Sequence, residues 1–273
     1  RAGLRDRLPD ATDDALFDIF LPELAVEALR SDCPDTAYDA IVMDEGQDLL
    51  RGDAVQVLDA TLRGGLRSGR WRLFQDPNQN IFGRVSKQSL DLLATGTPAR
   101  YRLTENCRNT QQVVQYATMI SGASVHADSR TSGPEAQLCE RWDEPWQRRS
   151  LDQIHQLLED GLPCEDLVIL VVDEAQRREM IATEPDLLVA VPVPNHVQVA
   201  TVGAFKGLES TGVVLAGLGS LDEPRLRQAA YVGATRAKVV LRVVLPRAAK
   251  RSFQARVSEF ATAAATTSVR QAR

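Results

Sequence analysis

Four consecutive apolar residues, Ala40 to Met43, run straight into Asp44, Glu45, Gln47 and Asp48. A short apolar run that stops at polar residues reads as a buried strand. Similar runs recur at 71–74 (WRLF), 167–173 (LVILVVD), 197–201 (VQVAT), 212–218 (GVVLAGL) and 239–245 (VVLRVVL). Between them apolar residues repeat at helical spacing. The segment 12–30 is one such helix, with Thr12 or Asp13 as N-cap and Pro22 as a kink or break. Others are expected near 53–63 (stopped by Gly64 and Gly65), 86–95, 110–121, 150–160, 174–181 and 223–238. The stretch 101–109 reads as a short strand and loop, and 122–147, rich in Gly, Ser, Asp and Trp, as irregular. Strands alternating with helices at these lengths predict parallel α/β architecture. Thr97 and Pro98 mark a seam between two domains, and 251–273 has little core-forming pattern and is expected to fray. No internal repeat is visible.

Composition narrows the class. The chain has 273 residues, 44% apolar and 25% charged, which is ordinary for globular proteins. No apolar run is long enough to cross a bilayer, and the opening RAGLRDRLPD lacks the apolar core of a signal peptide. With no initiator Met, a fragment of a longer cytoplasmic protein is expected. Cys33, Cys107, Cys139 and Cys164 are scattered without CxxC spacing, and His126, His155 and His196 are equally dispersed. Reduced thiols are the simple reading, and a Cys- or His-based metal site is not expected. The net charge of −5 argues against a wholly basic nucleic-acid surface, though a local basic groove stays open. Of 32 basic residues only Lys87, Lys206, Lys238 and Lys250 are lysines. Against that arginine-rich background, a lysine in a turn stands out.

Five stretches carry candidate chemistry. Asp44 and Glu45 end a strand, where α/β sheets bind ligands. Asp44 can hold Mg²⁺, which takes one or two carboxylates plus phosphate and water oxygens, and Glu45 can orient or deprotonate a water. A solvated strand end is the plainer alternative. In FQDPNQNIF (74–82) the Gln79 amide can contact a terminal phosphate; otherwise this is an Asp-Pro-Asn turn. In LTENCRN (103–109), Arg108 precedes a helix and can reach a phosphate, or simply form a surface ion pair. In VATVGAFKGLES (199–210), Lys206 and Gly207 can bring an ammonium and backbone N–H groups to phosphates, and Glu209 can accept from a ribose hydroxyl. In AAYVGATRAKVVL (229–241), Arg236 is a second phosphate candidate. It can equally be a solvated arginine at a helix C-terminus.

The order of these stretches is more specific than any one of them. DEGQD, QDPNQNIF, NCR, TVGAFKGLE and YVGATRA resemble the DExQD, GDxxQxIY, NYR, TxHxxKGLE and YVAxTRA motifs of UvrD/Rep-type superfamily 1A DNA helicases, in the same sequence. The resemblance spans about residues 38–245. It implies RecA-like P-loop NTPase lobes: the C-terminal part of lobe 1A over 1–97, a complete lobe 2A over 98–250, and a flexible tail at 251–273. It implies ATP and Mg²⁺ as cofactors and ATP hydrolysis coupled to movement on single-stranded DNA, with 3′-to-5′ polarity. By the same resemblance Asp44 coordinates Mg²⁺, Glu45 is the catalytic base and Gln79 senses the γ-phosphate. Arg108 and Arg236 stabilise the transferring phosphoryl group. Asp76, Lys206, Gly207 and Glu209 belong to the nucleotide site, with Glu209 on the sugar. Thr201 contacts single-stranded DNA or its coupling loop.

The departures set further expectations. No GxxxxGK[ST] phosphate loop occurs in 1–273. In the family it precedes DExQD, so it would lie upstream of Arg1, and this chain alone should bind ATP poorly and hydrolyse it negligibly. Gly203 stands in place of His, Gln75 in place of Gly, and Cys107 in place of Tyr or Phe. Arg84 occupies the position of a base-stacking Trp, and a guanidinium can stack on bases too. The short interval from Arg108 to Thr201 leaves no room for the large subdomain many members insert. Two alternatives stand beside the helicase: a non-catalytic module that binds nucleic acid or a partner protein, and a motor for a nuclease or defence complex. Other repair or nuclease subunits would then be partners. No membrane association is expected.

Overall fold

The computed structural model describes residues 16–32, 37–50, 53–79, 85–103, 105–123, 128–129 and 131–271. The expected caps Thr12 and Asp13, and Cys33, Arg84 and His126, lie outside them. The chain divides into two compact units, Arg1–Arg102 and Leu103–Arg273.

In the first unit a π-helical turn, Leu16–Phe20, leads into α1, Leu21–Asp32. Pro22 was expected to kink or break the helix. The helical run does break there: the π turn ends at Phe20, and Pro22 lies in the first turn of α1, where its missing N–H is tolerated. The irregularity falls before it, in the π turn. Then come β1 (Ala40–Met43), α2 (Gly46–Leu49), α3 (Ala54–Thr61), α4 (Gly65–Ser68), β2 (Arg70–Leu73), a 3₁₀ turn at Pro77–Gln79 and α5 (Lys87–Ala94). β1 and β2 are parallel, with Met43 opposite Leu73. Met43, Leu50, Val55, Leu62, Leu66 and Leu93 form the core, and Trp71 packs against it while its indole N–H donates to the Leu66 carbonyl at 2.7 Å. Ser86 caps α5 by accepting from the Ser89 amide at 3.0 Å.

The second unit contains β3 (Glu105–Asn106), α6 (Gln111–Ser121), β4 (Asp128–Ser129), β5 (Gln137–Leu138), α7 (Trp146–Glu159), β6 (Leu167–Val171) and α8 (Glu174–Ile181). β7 (Leu188–Val189), β8 (Val197–Thr201), β9 (Ser210–Ala216), α9 (Pro224–Ala234), β10 (Ala237–Val244) and α10 (Lys250–Gln271) follow. Six strands form one sheet in the order β5-β10-β9-β6-β8-β7, and every pairing is parallel. Parallel sheets need both faces covered. Leu167, Ile169, Val171, Val214, Ala216, Val240 and Val244 pack against Ile154 and Leu157 of α7 and Met180 of α8. On the other face α9 lies close enough that a methyl group on Gly233 would meet Leu215 at 2.6 Å and Val202 at 3.2 Å. This double cover explains why β6 reads as an unbroken apolar run.

Three sequence expectations shift here. α7 starts at Trp146, inside the stretch read as irregular, because Pro145 can open a helix without an N–H. The helix expected to run to Lys238 ends at Ala234, and residues from Ala237 join β10. Residues 250–271 form a helix rather than a frayed tail, anchored at its start where Ser252 accepts the Leu221 amide at 2.9 Å.

Candidate functional site

In the first unit, the parallel pairing of β1 and β2 brings both polar strand ends to the same edge. The Gly46 amide donates to the Phe74 carbonyl at 2.8 Å, and Gln47 sits between the two stretches. Gln47 is 1% exposed. Its Oε1 accepts the Asp76 amide at 3.1 Å, and its Nε2 donates to a Glu45 carboxylate oxygen. Asp76 in turn accepts the Asn78 amide at 2.9 Å and the Gln79 side-chain amide at 3.0 Å. Asp44 is exposed, and its Oδ1 accepts the Glu45 amide at 2.9 Å. Glu45 holds a left-handed backbone, φ 51°, which is uncommon for a residue with a Cβ. Strain of this kind gathers at functional turns. The structure therefore joins Asp44, Glu45, Asp76 and Gln79 into one hydrogen-bonded cluster. Gln47 and Gly46 hold it together, and sequence reasoning gave neither a role.

Among the described residues no group of three His, Cys, Asp or Glu side chains could hold a metal ion.

In the second unit three distant stretches meet at the amino ends of β9 and β10. The Ser210 amide donates to the Arg236 carbonyl at 3.0 Å. Asn109, 2% exposed, donates through Nδ2 to the carbonyls of Thr235 at 2.8 Å and Ala237 at 2.7 Å. The Thr110 amide donates to the Lys238 carbonyl at 3.1 Å. Asn106 Oδ1 accepts the Arg108 and Asn109 amides, at 2.9 and 3.0 Å, and so shapes the loop that presents Arg108. Arg108 Nε lies 3.0 Å from Glu209 Oε2, and Lys238 Nζ lies 3.8 Å from Glu209 Oε1. Gly207 has φ 84°, so the turn before Glu209 favours glycine.

Arg236, expected either solvated or facing a phosphate, is not solvated. It is 1% exposed. Its guanidinium donates to the Val232 carbonyl at 3.1 Å and the Leu208 carbonyl at 3.3 Å. A cation on the last carbonyls of a helix complements the helix dipole. Arg236 thus closes α9 and braces the loop that carries Glu209.

Thr201 stands at the opposite, carboxyl end of the sheet, as the last residue of β8. Its hydroxyl accepts the Ala204 amide at 3.1 Å. The connection 202–209 then crosses one face of the sheet, with Val202 and Phe205 buried, to start β9 beyond β6. Thr201 and Glu209 are therefore the two ends of one connection and do not share a cluster. Lys206 is half-buried within it. Cys107, Cys139 and Cys164 are free thiols.

The fold and site define an α/β protein whose second unit is built on a doubly covered parallel sheet. No family model matches the chain, and no curated protein matches it. One similar solved structure is the C-terminal domain of a possible DNA helicase from Lactobacillus plantarum WCFS1. It is 16% identical over 56% of this chain and 94% of that one, with a TM-score of 0.44. A likeness at that level fixes neither family nor activity. Among the described residues no helix is long and apolar enough to cross a membrane.

Proposed function

We propose that the chain is part of an ATP-driven DNA helicase or translocase of the UvrD/Rep superfamily 1A type, built on RecA-like lobes. The observation that carries this reading is the closure of three of the matching stretches on one corner. Asn109 and its bonded carbonyls are 126 and 128 positions apart in sequence, yet NCR, KGLE and TRA are tied directly to one another. A chance scatter of short polar motifs has no reason to converge. The first unit adds a second convergence, DEGQD on QDPNQ.

In this reading Asp44 would hold Mg²⁺, which would neutralise phosphate charge when bound. Glu45, steered by Gln47, orients and accepts a proton from the attacking water. Gln79, hydrogen-bonded to Asp76, reports the terminal phosphate in this reading. Arg108 is the candidate for phosphate contact and Glu209 for the sugar, with Lys206 and Gly207 on the connection that carries Glu209. Arg236 enters through the loop it braces. Thr201 touches single-stranded DNA at the far end of the 202–209 connection.

The test is single-stranded-DNA-stimulated ATP hydrolysis by the complete gene product. A positioned general base contributes about 10²–10⁴-fold. Glu45→Gln is expected to lower turnover by that order while ATP binding persists. Unchanged turnover would refute the reading.

A further inference from the structure

Glu209 is one carboxylate shared by two cations. Arg108 Nε is 3.0 Å from one of its oxygens and Lys238 Nζ is 3.8 Å from the other. All three side chains are about half exposed, at 51%, 41% and 43%, so an arriving anion can compete for either cation. Both cations are fixed at their roots. Arg108 springs from the loop shaped by Asn106 and Asn109. Lys238 lies in an irregularity of β10, where Ala237 and Val240 pair with Ser210 and Gly212, leaving one extra residue on the β10 side. A bulge re-aims the side chain it carries. Lys238 is also one of only four lysines in the chain, and the helicase resemblance gives it no role.

We infer that Glu209 is a positioning residue that holds Arg108 until a polyphosphate displaces it, and that Lys238 keeps the released carboxylate. This rests on the proposed phosphate role of Arg108. A triphosphate carries more negative charge than one carboxylate, so it wins Arg108. Lys238 then offsets the charge left on Glu209. The exchange moves Arg108 from a paired state to a phosphate-bound one without exposing an uncompensated acid.

The experiment is binding of inorganic tripolyphosphate, which has no sugar for Glu209 to contact, to the complete protein by calorimetry. The variants are R108A, E209Q and K238M, with the R108A/E209Q and K238M/E209Q doubles. Glu209→Gln is expected to tighten binding about three-fold, the scale of an exposed ion pair. That gain is expected to vanish in the R108A background. Lys238→Met is expected to weaken binding by a similar factor in the wild-type background and to have no effect once Glu209 is Gln. A plain charge effect would instead persist in both doubles, and that result would overturn the inference. So would a Glu209→Gln variant that binds no tighter. If Arg108→Ala leaves tripolyphosphate binding unchanged, or the wild-type protein does not bind it, the functional reading itself fails.

Discussion

The Asn109 side-chain amide donates to the Ala237 carbonyl at 2.7 Å, and the same nitrogen serves the Thr235 carbonyl at 2.8 Å. These two carbonyls flank Arg236, at the exit of α9 into β10. A buried side chain bonds both of them there. Leucine in place of Asn109 matches its size but leaves both acceptors without that partner. It also strands the Asn106 side-chain amide, which donates to Asn109 Oδ1 at 3.0 Å. Each orphaned buried group costs about 1–3 kcal/mol. Asn109→Leu is therefore expected to lower stability by at least about 2 kcal/mol, read as a drop of roughly 5 °C in thermal midpoint. A midpoint within a degree of wild type would show that Asn109 does not hold this corner.

Much of the fold was legible because period and burial coincide. Val197–Thr201 falls where the apolar pattern puts it and is mostly buried, whereas Ala40–Met43 forms the expected strand without the expected burial: only Met43 is buried and Val42 is 68% exposed. β7, two residues long, carries no periodic signal. The helix Lys250–Gln271 was missed because its few apolar side chains, such as Phe253 and Val257, are diluted by Ala, Thr and Arg. At the site, Arg108 and Glu209 could be named from motif order, but their ion pair could not. It joins residues whose proximity only the sheet order creates. Arg236 and Arg149 show the opposite limit. A sequence read as arginine-rich background gives no hint that these two guanidinia are buried on backbone carbonyls. Arg149 serves Glu144, Cys139 and Leu245 at 3.1, 3.0 and 2.7 Å.

Gly46 makes a second testable contact. A methyl group there would lie 2.3 Å from Leu73 Cδ1 and 3.2 Å from the Phe74 carbonyl oxygen. Leu73 can move, but the carbonyl also accepts the Gly46 amide and is fixed by it. Gly46→Ala should therefore push DEGQD away from QDPNQ and cost about 1–3 kcal/mol, as overpacking does. Leu73→Ala should return part of that loss. A coupling of about 0.5 kcal/mol or more between the two changes, measured by urea unfolding, is the expected outcome. Strict additivity would mean that the close approach is not what selects glycine.

Glu165 gives a pH dependence with a definite sign. Its Oε1 accepts the Asn195 amide at 2.9 Å, and that bond holds its carboxyl below the ordinary glutamate range. Asn195 has φ 61°, so the bond also secures a left-handed turn. A depressed folded-state pKa contributes stability that is complete above the unfolded value. It is lost as pH falls through the folded value. Glu165→Gln should remove that contribution, so the variant should lose less stability than wild type on acidification below about pH 4.5. Parallel curves for the two proteins would remove Glu165 from the acid response.

Arg242 is the residue whose removal should help. It sits in β10 between Val240 and Val244, on the face packed by α7, and is 6% exposed. Its Nε and Nη1 are buried without a hydrogen-bond partner. Burial lowers its pKa, and the nearby Asp160 charge offsets this only in part. A charge buried without full pairing costs more than an apolar side chain of similar length. Arg242→Met keeps the methylene packing against α7 and removes the desolvated guanidinium. It is expected to leave stability unchanged or raise it by about 1–2 kcal/mol, a gain of roughly 2–4 °C in midpoint per kcal/mol for a unit of this size. The second variant, Asp160→Asn, should do the reverse and destabilise, because it removes the one charge that compensates Arg242. If Arg242→Met unfolds the protein at a lower temperature than wild type, the guanidinium is making a contribution that its unpaired geometry does not explain.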